Sequence, residues 1–433
     1  MTECRQRKQR IYLIHCPELV DHYNWNSLEY RDIKKFSPLI FKATDLEDVR
    51  EQNGKTLAIL LQEVKAGDVS NNVKAYALKD TQADIEDETV YCRSIIGFEL
   101  LLIHALRIFC ARNAWGDLEQ RIKAGNLMAC FDVLLQKKED DIKKFIELLW
   151  EVRFQFDTWV VKWVEHDDRE DPQLRLTSIS RSISNNNSYI NRTAKELSEL
   201  VQLQAVRNFT GDRSAQYWLT SLLAKLVESP DMSEEQVLST LEQIDNYMSI
   251  TTETQKEASF KIAQGQKPCL DDLKTQESYF YSYRGTGFEH YWFQKLEYLL
   301  WKRGDKNDGK LKRYRITSKN SVEHVHPQNE EYKNEIPLNV LDAFGNLVLL
   351  SPGENSSYSN QTVIKKKADF ESKPRYDSLK LKALFEFHTR NGGKWGVDEI
   401  DEHQKQMVEV LMQHYQQDND VESPLAIMSD ENY

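Results

Sequence analysis

The residues best suited to chemistry lie between positions 321 and 367, in a stretch rich in histidine, asparagine and lysine. It contains the adjacent pair Glu323 and His324. Histidine is a base that works near neutral pH, and Mg²⁺ prefers oxygen ligands from carboxylates and amides. Together they could cut a phosphodiester bond, which needs a base for the attacking water and a cation for the leaving oxygen. The asparagines that could join them are Asn346, Asn355 and Asn360.

The order of these residues indicates the elements that must position them. A histidine beside an acid at the end of a strand, then an asparagine-rich turn that opens a helix, is the layout of a ββα-metal (HNH) nuclease. The strings EHVHPQ, FGNLVLLS, ENSSYSN and KKK follow one another in this order, and YDSLKLKALF and KWGVDEIDEHQKQMVEVL come after them. Over roughly the last third of the chain, these strings resemble the HNH nuclease domain of GmrSD-type modification-dependent restriction enzymes.

Weaker resemblance extends upstream, through IIGFELLLIHALRIF, FIELLWEVRFQFDTWVVKW and GFEHYWFQKLEYLLWKRG, which are similar to the helical middle of the same large proteins. The resemblance and the helical periodicity that begins at Ile95 predict a mainly α protein: a multi-helical scaffold with a C-terminal ββα-metal (HNH) nuclease domain. The predicted division is a mixed N-terminal region at 1–94, a helical scaffold at 95–300 with a polar linker near 166–191, the nuclease domain at 301–415 and an acidic tail at 416–433.

The resemblance also implies catalytic roles. His324 would be the general base that activates water, and Asn346 would orient the base or its loop through side-chain hydrogen bonds. Lys366 would contact the scissile phosphate, although any lysine of the KKK string would serve. His326 lies two residues from His324 and shares its face of a strand. It could help with phosphate or metal, or be a half-exposed polar residue before Pro327.

The same resemblance implies a cofactor, Mg²⁺ or Mn²⁺. Glu323 and Asn355 are the best candidates to hold the cation, and Asn360 would be a second amide ligand or a turn residue. Many HNH members carry Asp before the base, so the longer Glu323 is a departure from the common pattern.

A local excess of positive charge precedes the predicted catalytic strand. The segment Arg303–Arg315 has six lysines or arginines against two aspartates, and KKK adds a second basic cluster. A solvated hairpin loop is the simpler interpretation, but the position beside the site favours phosphate contact. The predicted DNA-binding residues are Arg303, Lys310, Lys312, Arg313, Arg315, Lys365 and Lys367.

Composition limits the class of protein. The chain has 433 residues, enough for two or three domains, and its net charge of −12 excludes a polycation that coats nucleic acid. Six cysteines occur without any C-x-x-C, which argues against a zinc site and a disulfide framework.

The N-terminal ten residues are polar and charged, so no signal peptide is expected. The most apolar run, Ile95–Ala111, contains Glu99, His104 and Arg107 and is therefore expected to be a buried amphipathic helix and not a membrane span. These observations predict a cytoplasmic protein with reduced thiols.

The leading hypothesis is a DNA endonuclease of phage defence, with phage DNA as substrate. The D-G-Q-Q-R string of the family's NTPase-like domain does not occur in the sequence, which predicts a split system with a separately encoded sensor subunit. Two alternatives stay open: a catalytically silent DNA-binding or assembly subunit, and an RNase effector such as a tRNA-cleaving enzyme.

Overall fold

The structure is a computed structural model, and it describes residues 91–165, 172–184, 187–328, 336–358 and 360–420. A short strand predicted at Arg10–Cys16, a helix predicted at Thr56–Val64 and most of the predicted acidic tail lie outside these residues. Within them helices predominate, which confirms the mainly α fold class. The described residues form two compact units. The first comprises the described residues up to Phe109 and Leu118–Glu196, and the second comprises Cys110–Asp117 and the described residues from Leu197 onward.

The first unit combines three helices with two small sheets. Helix α1 (Phe98–Arg112) is buried over most of its length, as expected, and His104 and Arg107 are themselves fully buried within it. The other helices are α2 (Leu127–Leu135) and α3 (Glu139–Trp159). An antiparallel sheet has the order β1-β2-β3, from Tyr91–Ser94, Lys162–Glu165 and Gln173–Arg175, and a hairpin joins β4 (Thr177–Ser184) to β5 (Asn187–Ala194).

The hairpin differs from the linker expected near 166–191. Strands β4 and β5 pair antiparallel from Thr177↔Ala194 to Ser184↔Asn187. The expectation rested on the polar composition of this segment. Its alternation of serine with isoleucine in SISRSIS has the two-residue period of a strand, and that period decides the local structure.

The second unit contains the remaining elements. Ser233 and Gln236 have the three-residue spacing that predicts a capping box, and helix α6 (Glu234–Ser249) begins with that box: Gln236 N–H donates to Ser233 Oγ over 3.3 Å, and Ser233 N–H donates to Gln236 Oε1 over 2.8 Å. The helices are α4 (Glu199–Thr210), α5 (Trp218–Glu228), α6 (Glu234–Ser249), α7 (Gln255–Ala263), α8 (Leu273–Tyr281), α9 (His290–Arg303), α10 (Gly309–Arg313), α11 (Leu338–Leu341), α12 (Pro352–Tyr358), α13 (Val363–Ser372), α14 (Leu379–Arg390) and α15 (Val397–Asp420).

Two antiparallel strands and a short helix position the predicted site. Strand β6 (Ser321–His324) pairs with β7 (Leu347–Leu350), with Glu323 opposite Val348 and His324 opposite Leu347. All four residues of β7 are apolar and buried. Helix α12 follows directly, so the chain runs strand, strand, helix around one core. That core consists of Val325, Val340, Val348, Leu350, Tyr358, Val363, Phe370, Leu381, Leu384, Phe385, Phe387, Trp395 and Ile400.

A glycine fixes this arrangement against the C-terminal helix. A Cβ on Gly345 would lie 2.4 Å from the Ile400 carbonyl oxygen and 2.8 Å from Gln404 Cβ, so only glycine fits there. The Gly345 N–H donates to Gln404 Oε1 over 3.0 Å. The 3₁₀ turn Phe344–Asn346, which leads into β7, is therefore held directly on α15.

In the described part of the chain, none of the helices combines the length and apolar character needed to cross a membrane.

Candidate active site

A cavity of about 250 Å³ opens where β6, α12 and α13 meet. Strand β6 ends at the cavity, helix α12 lies across it, and α13 closes it from the side. Five residues predicted from sequence line this one space, together with Pro327, Gln328 and Ser356; the five are Glu323, His324, Asn355, Asn360 and Lys366.

His324 is buried at the end of β6 and is held from one side. Its Nε2 lies 2.7 Å from Asp342 Oδ1, and the Tyr283 hydroxyl donates to Asp342 Oδ2 over 3.0 Å. Sequence reasoning missed both Asp342 and Tyr283. A signal was present for Asp342, because it lies two residues before the quoted string FGNLVLLS. Tyr283 carried no such signal.

Lys366 fixes the carboxylate of Glu323. Its ammonium donates to Glu323 Oε1 and to the His324 carbonyl oxygen, each over 2.6 Å. Burial lowers the pKa of the Lys366 ammonium, and the adjacent Glu323 carboxylate opposes that shift. Lys366 therefore points inward to the end of β6. Among the described residues, no hydrogen-bond partner is found for Glu323 Oε2, which is left to the cavity.

Asn355 reaches the cavity from α12, which begins with a reciprocal cap. Ser351 N–H donates to Glu354 Oε2 over 2.8 Å, and Glu354 N–H donates to Ser351 Oγ over 3.3 Å. The cap sets the direction of α12 and brings Asn355 against β6, where its Nδ2 donates to Ser321 Oγ over 2.6 Å. This bond turns the amide oxygen Oδ1 away from the strand. Asn360 lies beyond the helix and is exposed.

Asn346 acts on the loop after the base. It is fully buried, and its Oδ1 accepts from the His326 backbone N–H over 2.8 Å and from Trp395 Nε1 over 3.0 Å. Its Nδ2 donates to the Leu341 carbonyl oxygen over 2.8 Å. These bonds hold the loop after His324 and the segment before β7. Asn346 does not contact the imidazole of His324, whose hydrogen bond goes to Asp342. His326 is 4% exposed, so the interpretation as a half-exposed polar residue was wrong.

Residues 273–410 match the family model of the C-terminal domain of GmrSD restriction endonucleases. This segment is similar to that GmrSD domain. It runs from the start of α8 into α15 and includes Tyr283, Asp342 and every residue that lines the cavity. No curated protein and no solved structure matches the chain.

The oxygen atoms of the GmrSD domain's cavity suit a hard cation. Glu323 Oε2 and Asn355 Oδ1 have no hydrogen-bond partner among the described residues, and Asn360 adds an exposed amide. Mg²⁺ needs only one or two protein oxygens because it keeps several waters and takes further oxygens from a phosphate. The described residues contain no group of three His, Cys, Asp or Glu that could hold a metal. Carboxylate and amide oxygens are of the kind that Mg²⁺ and Mn²⁺ prefer.

Three of the predicted DNA-binding lysines belong to α13 of the GmrSD domain or contact it. Lys365 is exposed, Lys367 pairs with Glu371 over 2.5 Å, and Lys310 donates to the Glu371 carbonyl oxygen over 2.8 Å. Helix α13 also carries Lys366, so Lys365 and Lys367 lie on an element that lines the cavity, and Lys310 contacts that element from α10.

The other predicted DNA-binding residues are placed around α9 and α10. Arg303 contacts α15 through the Val410 carbonyl oxygen, 3.4 Å away. Arg313 and Arg315 donate to backbone carbonyls of the α10 segment, Gly309 and Lys312 respectively, and Lys312 is exposed. The segment is therefore a helix end, a turn and a short helix, in place of the hairpin loop of the simpler interpretation.

Proposed function

We propose that the chain is a metal-dependent HNH endonuclease that cleaves phosphodiester bonds of DNA. The observation that carries this proposal is the single cavity lined by Glu323, His324, Asn355, Asn360 and Lys366. It combines a base, hard oxygen ligands and a lysine at one end of a strand-strand-helix unit. The match to the C-terminal domain of GmrSD restriction endonucleases supports the class of reaction.

In the proposed reaction, His324 takes the proton of the attacking water, and the packed end of β6 fixes the position of its ring. Lys366 holds Glu323 Oε1, which leaves Oε2 directed to the cavity, and Ser321 orients the Asn355 amide in the same way. Glu323 and Asn355 are the residues that would hold Mg²⁺. When bound, the ion supplies charge stabilisation for the developing negative charge on the leaving oxygen.

The basic residues around α13 and α10 would contact the phosphate backbone of DNA. Such contacts position a duplex without reading its sequence. A whole-molecule charge of −12 opposes the approach of DNA at long range. Unaided binding should therefore be weak and strongly dependent on salt.

The proposal includes a separately encoded NTPase-like sensor and a role in phage defence. Both come from the GmrSD resemblance, and the acidic charge gives a physical reason for a helper that brings DNA to the site. The sensor would bind the chain and control cleavage through its nucleotide. Nicking by this chain, measured with and without the product of the neighbouring reading frame across a nucleotide series, tests this part. Robust nucleotide-independent cutting by the isolated chain would contradict it.

The central test is plasmid nicking with Mg²⁺, Mn²⁺ or excess EDTA, for the wild type and His324→Ala. We expect cleavage only with the metals, and a loss of about 10²- to 10⁴-fold in rate for His324→Ala, because it removes the base. His290→Ala is the matched control, since His290 begins α9 and does not line the cavity.

Three outcomes would redirect the proposal. Near-wild-type nicking by folded His324→Ala would exclude His324 as the base. Full activity in excess EDTA would exclude the metal mechanism. A chain that binds DNA but never cuts it, with or without the sensor, would be an assembly subunit. Cleavage of an RNA substrate tested in parallel, without cleavage of DNA, would identify an RNase.

A further inference from the structure

The imidazole of His324 faces a second polar group that lies outside the cavity. Asp342 follows α11 and Tyr283 follows α8, so two separate segments meet behind the ring. Asp342 is 7% exposed and is not among the residues that line the cavity. A carboxylate this buried needs hydrogen-bond donors, and it has two: the His324 ring and the Tyr283 hydroxyl.

We propose that Asp342 and Tyr283 are positioning residues that hold His324 in the tautomer with the proton on Nε2, so that Nδ1 is the nitrogen presented to the cavity. This inference rests on the proposed nuclease function only where it makes Nδ1 the base; the tautomer itself does not depend on activity.

The tautomer follows from the chemistry of the partner. An ionised carboxylate only accepts hydrogen bonds, so Nε2 at 2.7 Å from Asp342 Oδ1 must carry the proton. In a neutral imidazole the lone pair is then on Nδ1. No hydrogen-bond partner for Nδ1 is found among the described residues, and the His324 side chain lines the cavity while Asp342 does not. The edge of the ring that carries Nδ1 therefore faces the space where a water would react.

Asp342 is held by its own backbone. Its N–H donates to the Leu338 carbonyl oxygen over 2.9 Å, at the end of α11. On the far side, the buried Lys380 ammonium donates to the carbonyl oxygens of Phe344 and Leu347. The segment that carries the carboxylate is therefore anchored at both ends, as a positioning group requires.

Tyr283 is brought to Asp342 by the turn that follows it. Gly285 has φ +57°, a left-handed conformation that favours glycine, and Gly287 N–H donates to the Arg284 carbonyl oxygen over 3.0 Å. The hydrogen bond to Asp342 raises the pKa of the Tyr283 phenol, which keeps it a donor. Tyr283 is 61% exposed, so changing its hydroxyl should not disturb the core.

The test uses Asp342→Asn, which keeps the size and removes the charge. The Tyr283 hydroxyl should hold the new amide oxygen, which turns the amide NH₂ toward His324 Nε2 and forces the proton onto Nδ1. With ¹⁵N-histidine-labelled protein at pH 8, and His324 assigned through the His324→Ala spectrum, we expect Nε2–H in the wild type and Nδ1–H in Asp342→Asn. In the nicking assay, kcat should fall by about 10²- to 10⁴-fold with little change in KM.

Tyr283→Phe is the second variant, and it remains informative if Asp342→Asn does not fold. Removing the hydroxyl leaves Asp342 a stronger acceptor, so the His324 Nε2–H proton should shift downfield with the tautomer unchanged, and kcat should fall less than about 10-fold. The control is Tyr281→Phe, at a neighbouring exposed tyrosine, which should change neither the His324 Nε2–H resonance nor kcat.

The two readouts separate the two proposals. A chain without nuclease activity that still shows Nε2–H in the wild type and Nδ1–H in Asp342→Asn supports the positioning pair and contradicts the proposed function. Nδ1–H in the wild type, or the same tautomer in wild type and Asp342→Asn, overturns the positioning pair whatever the activity. An unshifted Nε2–H proton in Tyr283→Phe removes Tyr283 from it.

Discussion

The second unit contains two clusters of charged residues with nearly the same bonds and different surroundings. Between α4, α6 and α9, Lys295 donates to Asp245 Oδ2 over 2.6 Å, and Arg207 pairs with Asp245 Oδ1 over 3.3 Å. At the cavity, Lys366 donates to Glu323 Oε1, also over 2.6 Å. Both clusters thus contain a short lysine-carboxylate pair on a buried ammonium.

The difference between the clusters is access. The side chains of Asp245 and Lys295 are fully buried, and Tyr291 also donates to Asp245 Oδ2 over 2.9 Å. The Glu323 side chain is 13% exposed and borders a cavity. A cluster that is closed to solvent can only stabilise or destabilise the fold. In a cluster that borders a cavity, a side chain can also bind a ligand. Pairing alone therefore does not identify a site, and the predictions below test whether access does.

The largest effect is expected for Asp245→Asn in the closed cluster. It removes the negative charge between Lys295 and Arg207 with little change in shape, and the unfolding free energy should fall by about 3–5 kcal/mol, because buried cations lose their counter-charge. Urea unfolding measures it. The matched change at the cavity is Glu323→Gln, which we expect to cost less than half as much, since water can enter there. Equal losses would contradict the role of access.

The next effect is expected for Asn355→Ala in the open cluster. Loss of an outer-shell partner of a metal ligand typically weakens metal affinity by about 10- to 100-fold. Loss of a direct oxygen ligand should weaken the apparent Mg²⁺ affinity by at least as much. DNA binding measured without metal should not change. A metal titration of nicking tests this, with Ser357→Ala, on the same helix but outside the cavity, as the control. Unchanged metal dependence would remove Asn355 from the ligand set.

A smaller effect is expected where α15 supports the site. Gly345→Ala places a methyl group against Ile400 and Gln404, and the overpacking should lower the unfolding free energy by about 1–3 kcal/mol. Nicking should fall as well, because the turn carries Asn346. Gly353→Ala is the control: no atom lies within 4 Å of its added Cβ, so stability should hold or rise. Similar losses in both variants would contradict the close approach.

The last effect appears only below neutral pH and concerns His403, which packs on the same turn through Gly345. Burial lowers the pKa of His403 to about 3, with Lys380 adding to the shift. Between about pH 6.5 and pH 3, His403 is therefore protonated in the unfolded chain and neutral in the folded chain. The contribution of His403 to the unfolding free energy should be complete above about pH 6.5. It should decrease as the pH falls toward 3, by at most about 1.4 kcal/mol per pH unit.

His403→Asn isolates this contribution. Its amide can keep the donor to the Gly345 carbonyl oxygen, 2.9 Å from His403 Nδ1, but it does not titrate. The urea midpoint of His403→Asn should therefore fall less between pH 6.5 and 5 than that of the wild type. Parallel pH curves would show that His403 does not contribute.

Part of the fold could be predicted from local sequence patterns. The helical spacing from Ile95 and the capping box at Ser233 appear in the structure as expected, because these signals depend on neighbouring residues. The hairpin at 177–194 was missed because composition was weighed above the two-residue period. The roles of the site residues, and the HNH type of the unit, remain predictions.

The sequence by itself indicated the candidate side chains, since Glu323 and His324 are neighbours at a strand end and Asn355 lies in the asparagine-rich segment that follows, in the motif order of the resemblance. Tertiary structure alone decided what those side chains do with their remaining bonds. Lys366 turned inward to Glu323, and Asp342 and Tyr283 met behind His324. These partners are separated by 43, 18 and 59 positions along the chain. The physical reason is that helical and strand periods specify which face a side chain shares, but a contact between elements depends on how their cores pack.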